Sequence, residues 1–355
     1  MLDAEKVASD IVETVSRELR LDRRFVVLDY VFGHVEGKPH INFLASSPFI
    51  EKGIRSFLGK HNEVHSLFTY SVEVLPLADV GKKKFALCNV SAAPVMKSST
   101  HKSEQITQML LGESADVLQQ SNKDWLRLRL HQDNYVGWVS ANQVCCFDEK
   151  EMATWQTQKK TSPRNLITPI MSSPKTNSEP IREFLFGTFL AVKKFTKPWI
   201  SVKLPDGRVG WVKSPEMLPQ RNKQLVSLTQ LTATARMFLG ISYQWGGRSV
   251  KGFDCSGFTQ TVYRLNGIEI PRDASLQWLT GSDIGKEKKN FVEGDLLFFS
   301  ATPERITHVA MWLGGAEFIH SSGFVKMNSF DRSHSLFDNN LLQRFVGARR
   351  ILDAG

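Results

Sequence analysis

The first eighty residues mix two hydrophobic spacings. Ala4, Val7, Ala8, Ile11, Val12, Val15 and Leu19 recur at the three- and four-residue intervals of one helical face. Phe25 to Phe32 and Ile41 to Leu44 read as strands, with Gly37-Lys38-Pro39 as the turn between them. Ser47 as N-cap and Pro48 at the first helical position announce a second helix, whose apolar side is Phe49, Ile50, Ile54, Phe57 and Leu58. Phe68 to Leu75 closes the unit as a strand. This order predicts a small N-terminal α+β domain over residues 1–80, in which no chemistry-bearing cluster stands out and whose role stays open.

An internal repeat follows. Trp125-Leu126-Arg127-Leu128 leads to Tyr135-Val136-Gly137-Trp138-Val139, and Trp199-Ile200-Ser201-Val202 leads to Arg208-Val209-Gly210-Trp211-Val212. Each copy alternates apolar and polar residues about a polar turn, Gln132-Asp133-Asn134 or Pro205-Asp206-Gly207, as a β-hairpin does. Ahead of each lies a strand-like run ending in a turn glycine, Gly112 or Gly187. The copies resemble bacterial SH3 domains and predict two small barrels, at 81–150 and 160–218, with Trp138 and Trp211 as core residues. The polar stretch Thr157 to Arg164 reads as a linker, and Pro215 to Gln224 as the boundary to a last domain at 222–355.

That domain opens with a helix from Ser227 to Leu239, ended by Gly240, and then Tyr243-Gln244-Trp245-Gly246-Gly247, whose glycines suggest backbone in close approach. In Gly252-Phe253-Asp254-Cys255-Ser256-Gly257-Phe258 the cysteine stands at the start of a helix that carries Phe258, Val262 and Leu265 on one side and has Gly267 past its end. A helix start favours the thiolate, which is the nucleophilic form. Two histidines lie on an expected hairpin, Thr307 to Leu313 and Ala316 to His320, joined through Gly314-Gly315. A strict two-residue turn would put His308 and His320 on opposite faces, whereas an odd-length or bulged turn puts both rings on one face as diagonal neighbours. A bulged or three-residue turn at Gly314 to Ala316 is therefore the condition for His308 to serve Cys255 as general base and for His320 to orient His308. Taken singly, Cys255 could be a buried thiol and each histidine a satisfied core residue. A zinc site of Cys255, His308, His320 and Asp254 is the chemical rival, disfavoured because adjacent Asp254 and Cys255 cannot readily point at one metal.

Composition is that of a folded chain: 355 residues, 41% hydrophobic and 23% charged, too long for one ordinary core. The N-terminus runs straight into an amphipathic pattern, and no stretch has the length of a membrane span, so a cytoplasmic protein is expected, or a secreted one if a leader has been removed. Cys88, Cys145, Cys146 and Cys255 are too few and too scattered for a disulfide framework. The net charge of +9 suits an anionic partner, but Lys82-Lys83-Lys84 and Lys286-Glu287-Lys288-Lys289 lack the interleaved aromatics of a nucleic-acid surface, so no nucleic-acid partner is expected.

The segments YxWGG at 243–247, FDCSGF at 253–258, PRDAS at 271–275, EGDLLFF at 293–299, THVAMWLG at 307–314 and FIHSS at 318–322 resemble the NlpC/P60 family of papain-like cysteine peptidases. With two SH3 units ahead, the architecture looks like its γ-D-glutamyl-L-diamino acid endopeptidases of the dipeptidyl-peptidase VI type. The resemblance implies an α+β multidomain protein. It also implies hydrolysis of the γ-D-Glu–diamino acid bond in murein peptides such as L-Ala-γ-D-Glu-diamino acid, with a free amino end, in peptidoglycan recycling, with no cofactor and no metal. It implies Cys255, His308 and His320 as the catalytic set, with Tyr243 beside the Cys255 N–H as oxyanion partner. Glu104, Tyr135 and Asp254 become the expected ammonium partners, chemically suited as carboxylates and a phenol. Ser256 is expected at the D-Glu carboxylate, and Trp245, Arg272 and Ser275 join the substrate-binding set from the matched segments. Relatives often carry Ser directly after Arg-Asp, where this chain has Ala274 and then Ser275, which leaves the carboxylate contact there open. The competing readings are a secreted hydrolase of intact murein and a non-catalytic cell-wall binding protein. The diamino acid preferred and the oligomeric state are not fixed by sequence.

Overall fold

The computed structural model describes residues 4–61, 68–122, 124–219, 227–300, 302 and 305–352. The chain is an α+β multidomain protein that gathers into two compact units: one holds Met1–Asn89, Val95–Glu104 and Glu113–Thr157, the other Val90–Pro94, Gln105–Gly112 and Gln158–Gly355.

In the first unit, helices Ala4–Glu18 and Pro48–Lys60 bury Ala8, Ile11, Val12, Val15 and Ile50, Ile54, Leu58 against a three-stranded sheet. Ser47 caps the second helix by accepting from the Ile50 N–H. The buried row is narrower than the apolar pattern: Phe49, one position off the i, i+4, i+8 line, is 62% exposed. The first hairpin also turns earlier than expected. Glu36 and Gly37, both with positive φ, form a two-residue turn, and Val35 faces Lys38, so Lys38 and Pro39 already belong to the strand Lys38–Ala45. The sheet runs Leu28–Val35, Lys38–Ala45, Thr69–Val74, antiparallel and then parallel.

The same unit carries barrel strands Phe85–Cys88, Ser114–Ser121, Trp125–Leu130, Val136–Ser140 and Val144–Phe147. Trp125, Trp138 and Met96 form one cluster, with the Arg127 guanidinium 5.4 Å from the Trp138 ring and 3.1 Å from Asp29. The N-terminal domain seats on this barrel: Val27, Leu44 and Leu75 pack with Leu118 and Val136, and the Val136 N–H donates to Arg24 O at 2.8 Å. Cys145 and Cys146 sit within the strand Val144–Phe147, and all four cysteines are free thiols.

Within the expected linker, Lys160–Pro163 is a strand, and a helix Glu149–Thr157 ends where the linker was expected to begin. Its signal was a capping box: Asp148 accepts from the Glu151 N–H at 2.8 Å and Glu151 accepts from the Asp148 N–H at 2.9 Å. Met152 and Trp155 are its buried residues.

In the second unit, the second barrel orders its strands Pro180–Leu185, Ile167–Met171, Val209–Lys213, Trp199–Lys203, Leu190–Thr196, Lys160–Pro163 and Met217–Pro219. The expected boundary at 215–224 lies partly outside the described residues. The last domain is a six-stranded antiparallel sheet in the order Ser282–Gly285, Phe345–Arg350, Leu296–Phe299, His308–Gly314, Glu317–Ser322, Phe324–Ser329. Helix Cys255–Leu265 lies on one face through Phe258 and Val262, packed with Phe298, Val309, Met311 and Ile319. The far end of that helix meets the second barrel, where Arg264 Nη1 donates to Gly187 O at 3.0 Å.

In the second tryptophan hairpin, a Cβ at Gly210 would overlap the Ile170 side chain, which is fully buried and β-branched and so cannot swing aside. Gly210→Ala should therefore destabilise the protein by about 1–3 kcal/mol through overpacking, read as a lower midpoint in urea unfolding.

Candidate active site

Asp254 caps the helix Cys255–Leu265, its carboxylate accepting from the Gly257 N–H at 2.6 Å, so Cys255 is the first helical residue. Val309, next to His308, and Ser256 give the Cys255 sulfur backbone hydrogen bonds. The thiol therefore lies beside the strand that carries the first histidine.

On the histidine hairpin, Met311 faces Ile319 and Trp312 faces Phe318, but Gly314 faces Glu317. The register shifts between Trp312 and Gly314, so the strand holding His308 has one residue more than its partner, and both rings fall on one face. His308 Nε2 lies 2.7 Å from His320 Nδ1, with the ring planes at 81°. The turn is completed by Ala316 at φ 77°, a left-handed position unusual for alanine, and its carbonyl accepts from the Phe330 N–H at 2.9 Å and the Ser329 hydroxyl at 3.2 Å. His320 is 1% exposed, and its Nε2 stands 2.9 Å from Asn328 Oδ1.

Burial decides the charge state. It pushes the Cys255 thiol up to about 12, reinforced by the Asp254 charge and opposed by the Val309 and Ser256 hydrogen bonds and by Arg272. It pushes His308 down to about 3, helped by His320, and His320 down to about 4. The helix start, worth about 0.3–1 kcal/mol in favour of the thiolate, is outweighed by this dry surround. The resting pair is a neutral thiol and a neutral imidazole. Tyr243, raised to about 12 chiefly by burial and then by Cys255 and Asp254, stays a phenol able to donate.

Arg272 is 2% exposed, and its guanidinium is engaged inside the protein. It holds Asp254 through Nη1 to Oδ1 at 3.0 Å and Nη2 to Oδ2 at 2.5 Å, and reaches Ser256 Oγ at 3.2 Å and Thr107 Oγ1 at 3.0 Å. Asp254 and Ser256 are thus set from behind by Arg272, rather than all three standing open. Trp245 is 62% exposed, with its carbonyl taken by Gln105 Nε2 at 3.0 Å. Gly246, at φ 69°, has the Gln105 carbonyl oxygen 2.7 Å from where a Cβ would be, which explains the glycine there. Ser275 is exposed while Ala274 is buried. Behind them Gln277, which the motifs did not single out, donates to Ser256 O at 3.1 Å and Pro271 O at 2.8 Å and accepts from Thr259 Oγ1 at 2.8 Å. Glu104 and Tyr135 belong to the first unit. There Glu104 pairs with Lys97 at 3.6 Å, and the Tyr135 ring, 2% exposed, meets Phe25 edge-on at 5.4 Å.

The strand Gln105–Leu110 is the part of the site that sequence reading missed. Besides the Gln105 and Thr107 contacts, Gln108 accepts from the Arg248 N–H at 3.0 Å and its carbonyl from Arg248 Nε at 2.7 Å. Its signal was two polar residues, Thr107 and Gln108, that are 0% and 3% exposed in a strand otherwise apolar at its end. A zinc site would need Cys255, His308, His320 and Asp254 to converge; instead the imidazoles face each other and Asp254 is held on both oxygens by Arg272.

Residues 240–349 match the NlpC/P60 family, and residues 95–144 match the bacterial dipeptidyl-peptidase SH3 domain. The γ-D-glutamyl-L-lysine dipeptidyl-peptidase of Bacillus cereus is 30% identical over 69% of this chain and 75% of its own. The chain belongs to the NlpC/P60 family. Dipeptidyl-peptidase 6 of Lysinibacillus sphaericus is 28% identical over 67% of this chain and 89% of its own. The crystal structure of an NlpC/P60 family protein from Bacillus cereus superposes with a TM-score of 0.64 at 25% identity, over 76% of this chain and 99% of that one. As an NlpC/P60 protein with an SH3 domain, the chain is a cysteine peptidase.

Removing the guanidinium with Arg272→Ala leaves the Asp254 carboxylate unpaired in a buried site, and urea unfolding should show a loss of roughly 3–5 kcal/mol. Both imidazoles have folded-state pKa values below the ordinary 6.5, so the unfolded chain takes up protons that the fold refuses. Their contribution to stability is complete above pH 6.5 and is lost as pH falls from there towards about 4 for His320 and about 3 for His308. The melting temperature should fall across that interval, and fall less in a variant carrying both His308→Phe and His320→Phe.

Proposed function

We propose that this NlpC/P60 peptidase hydrolyses the bond between γ-D-Glu and the diamino acid in cell-wall peptides that carry a free N-terminal L-Ala. The observation that carries the chemistry is the pair of imidazoles 2.7 Å apart on the hairpin whose first strand lies beside Cys255. The substrate class rests on the relatives, named γ-D-glutamyl-L-lysine dipeptidyl-peptidase and dipeptidyl-peptidase 6.

In this reading His308 takes the thiol proton as the Cys255 sulfur attacks the γ-carbonyl carbon. The developing oxyanion is met by the Cys255 N–H and the Tyr243 phenol. The C–N bond breaks and His308 passes the proton to the leaving amine, which departs as the diamino acid end. Water then attacks the thioester, His308 accepts one of its protons, the carboxylic acid leaves and the thiol is restored. Asp254 supplies the kind of carboxylate that an ammonium group requires, which would confine the enzyme to free amino ends.

The test is incubation of the protein and Cys255→Ala with L-Ala-γ-D-Glu-diaminopimelate and its N-acetyl form, read by mass spectrometry. The unmodified protein should release L-Ala-γ-D-Glu and Cys255→Ala none. Acetylation should slow release roughly 10- to 100-fold, the value of a charged hydrogen bond lost. Equal cleavage of both peptides would remove the amino-end assignment, and cleavage of neither would return the protein to the cell-wall binding reading.

A further inference from the structure

We propose that Asn328 is a positioning residue that dictates which nitrogen of His308 carries the proton, and so which one is free to act as base toward Cys255. This rests on the assignment of Cys255 and His308 as the reacting groups.

The inference starts from a carbonyl. Leu336 O accepts from the Asn328 amide nitrogen at 3.1 Å and from the Ser329 N–H at 2.9 Å. A backbone carbonyl can only accept, so the group that Asn328 turns toward it must be the NH₂; the opposite orientation would press two lone pairs together. The other end of the same amide is then an oxygen, and it lies 2.9 Å from His320 Nε2. An amide oxygen also can only accept, so His320 Nε2 must carry hydrogen. With His320 neutral, as its burial requires, its Nδ1 presents a lone pair. His308 Nε2, 2.7 Å away, must therefore be the donor. What remains on His308 is Nδ1 with its lone pair exposed, the tautomer a general base needs.

Each step follows from the valence of the previous group, and the chain ends on main chain, which cannot change its role. Without Asn328, no other contact at His320 Nε2 among the described residues prefers one tautomer. The ring could then place hydrogen on Nδ1, turn His308 into an acceptor at Nε2, and put hydrogen on the nitrogen that should receive the thiol proton. A buried histidine pair held only by its own hydrogen bond would divide between a competent and an incompetent arrangement. Asn328 removes that degeneracy with an uncharged group, so the imidazoles stay neutral and the site gains no second carboxylate beside Asp254.

Asn328 comes from the strand Phe324–Ser329, which pairs with the His320 strand, His320 facing Lys326. Leu336 lies in the connection that follows, where Ser329 and Phe337 form a bridge and Leu336 N donates to His334 Nδ1 at 3.1 Å. That connection also holds the bulged turn, since Phe330 N and Ser329 Oγ both donate to Ala316 O. One short stretch, residues 328–336, thus fixes both the facing of the two rings and the proton order within them.

The test uses the full chain with isotope-labelled histidine, reading the tautomers of His308 and His320 by heteronuclear NMR, beside kcat and KM on L-Ala-γ-D-Glu-diaminopimelate. In the unaltered protein, hydrogen should sit on Nε2 of both rings. Asn328→Leu, similar in volume but without an acceptor, should give a mixture of tautomers and lower kcat by about 10- to 100-fold, with KM within about twofold. Asn328→Asp, which keeps an acceptor toward His320, should preserve the Nε2–H tautomer and recover kcat relative to Asn328→Leu. Unchanged tautomers and kcat in Asn328→Leu would overturn the proposal, as would a kcat loss with both tautomers intact. If Asn328→Leu fails to fold, a tautomer change in Asn328→Asp overturns it equally. Cys255→Ala separates this from the peptidase reading: it should abolish turnover while leaving both tautomers as they are, and activity in that variant would sink the catalytic assignment without touching the NMR result.

Discussion

The 2.7 Å hydrogen bond between His308 and His320 exists because one strand of their hairpin is a residue longer than the other. Side chains in a ladder alternate faces strictly, so two histidines at an even separation across a two-residue turn would point to opposite sides of the sheet. The irregularity between Trp312 and Gly314 reverses that parity. It needs backbone conformations that favour glycine, and Gly314, Gly315 and Ala316 all lie at positive φ. The alanine is held there by two donors onto its carbonyl, from Ser329 and Phe330. A local backbone cost is thus met by the same segment that orients the second ring.

Dryness is the second constraint. The helix start and two backbone N–H groups favour a thiolate, but burial and Asp254 favour the thiol more strongly, and the imidazoles are driven neutral by the same surround. Beside the nucleophile, Arg272 grips both oxygens of Asp254. The site thereby stores its ionic character in a pair that does not react and keeps the reacting pair uncharged until a substrate carbonyl arrives. Hydrogen-bond order, rather than stored charge, then has to specify which atom accepts the proton.

Much of this was legible in the sequence. The FDCSGF segment placed Cys255 at a helix start, and the spacing of His308 and His320 demanded a bulged or odd-length turn. The barrel hairpins were readable from their tryptophans and glycines, and the N-terminal helices from their periodicity. What escaped was of two kinds. Short local signals were overlooked, as with the Asp148–Glu151 capping box that starts a helix just ahead of the expected linker. Long-range polar contacts could not be seen at all. Thr107 and Gln108 look like ordinary strand residues until Arg272 and Arg248, about 140 to 165 positions later, are found bonded to them. Asn328 escaped for the same reason, since its meaning depends on a carbonyl in the next connection and a ring on the neighbouring strand.

The strand Gln105–Leu110 has one consequence for how such a protein can be assembled from parts. By motif it belongs to the first barrel, and by packing it belongs to the peptidase. Cutting the chain at the motif boundary would take one acceptor from each of two guanidiniums, the Gln108 carbonyl from Arg248 and the Thr107 hydroxyl from Arg272, and would strip the Gln105 side chain from the Trp245 carbonyl. The catalytic domain is therefore not a portable cassette. Exchange of the strand Gln105–Leu110 would have to be matched by changes at these two arginines.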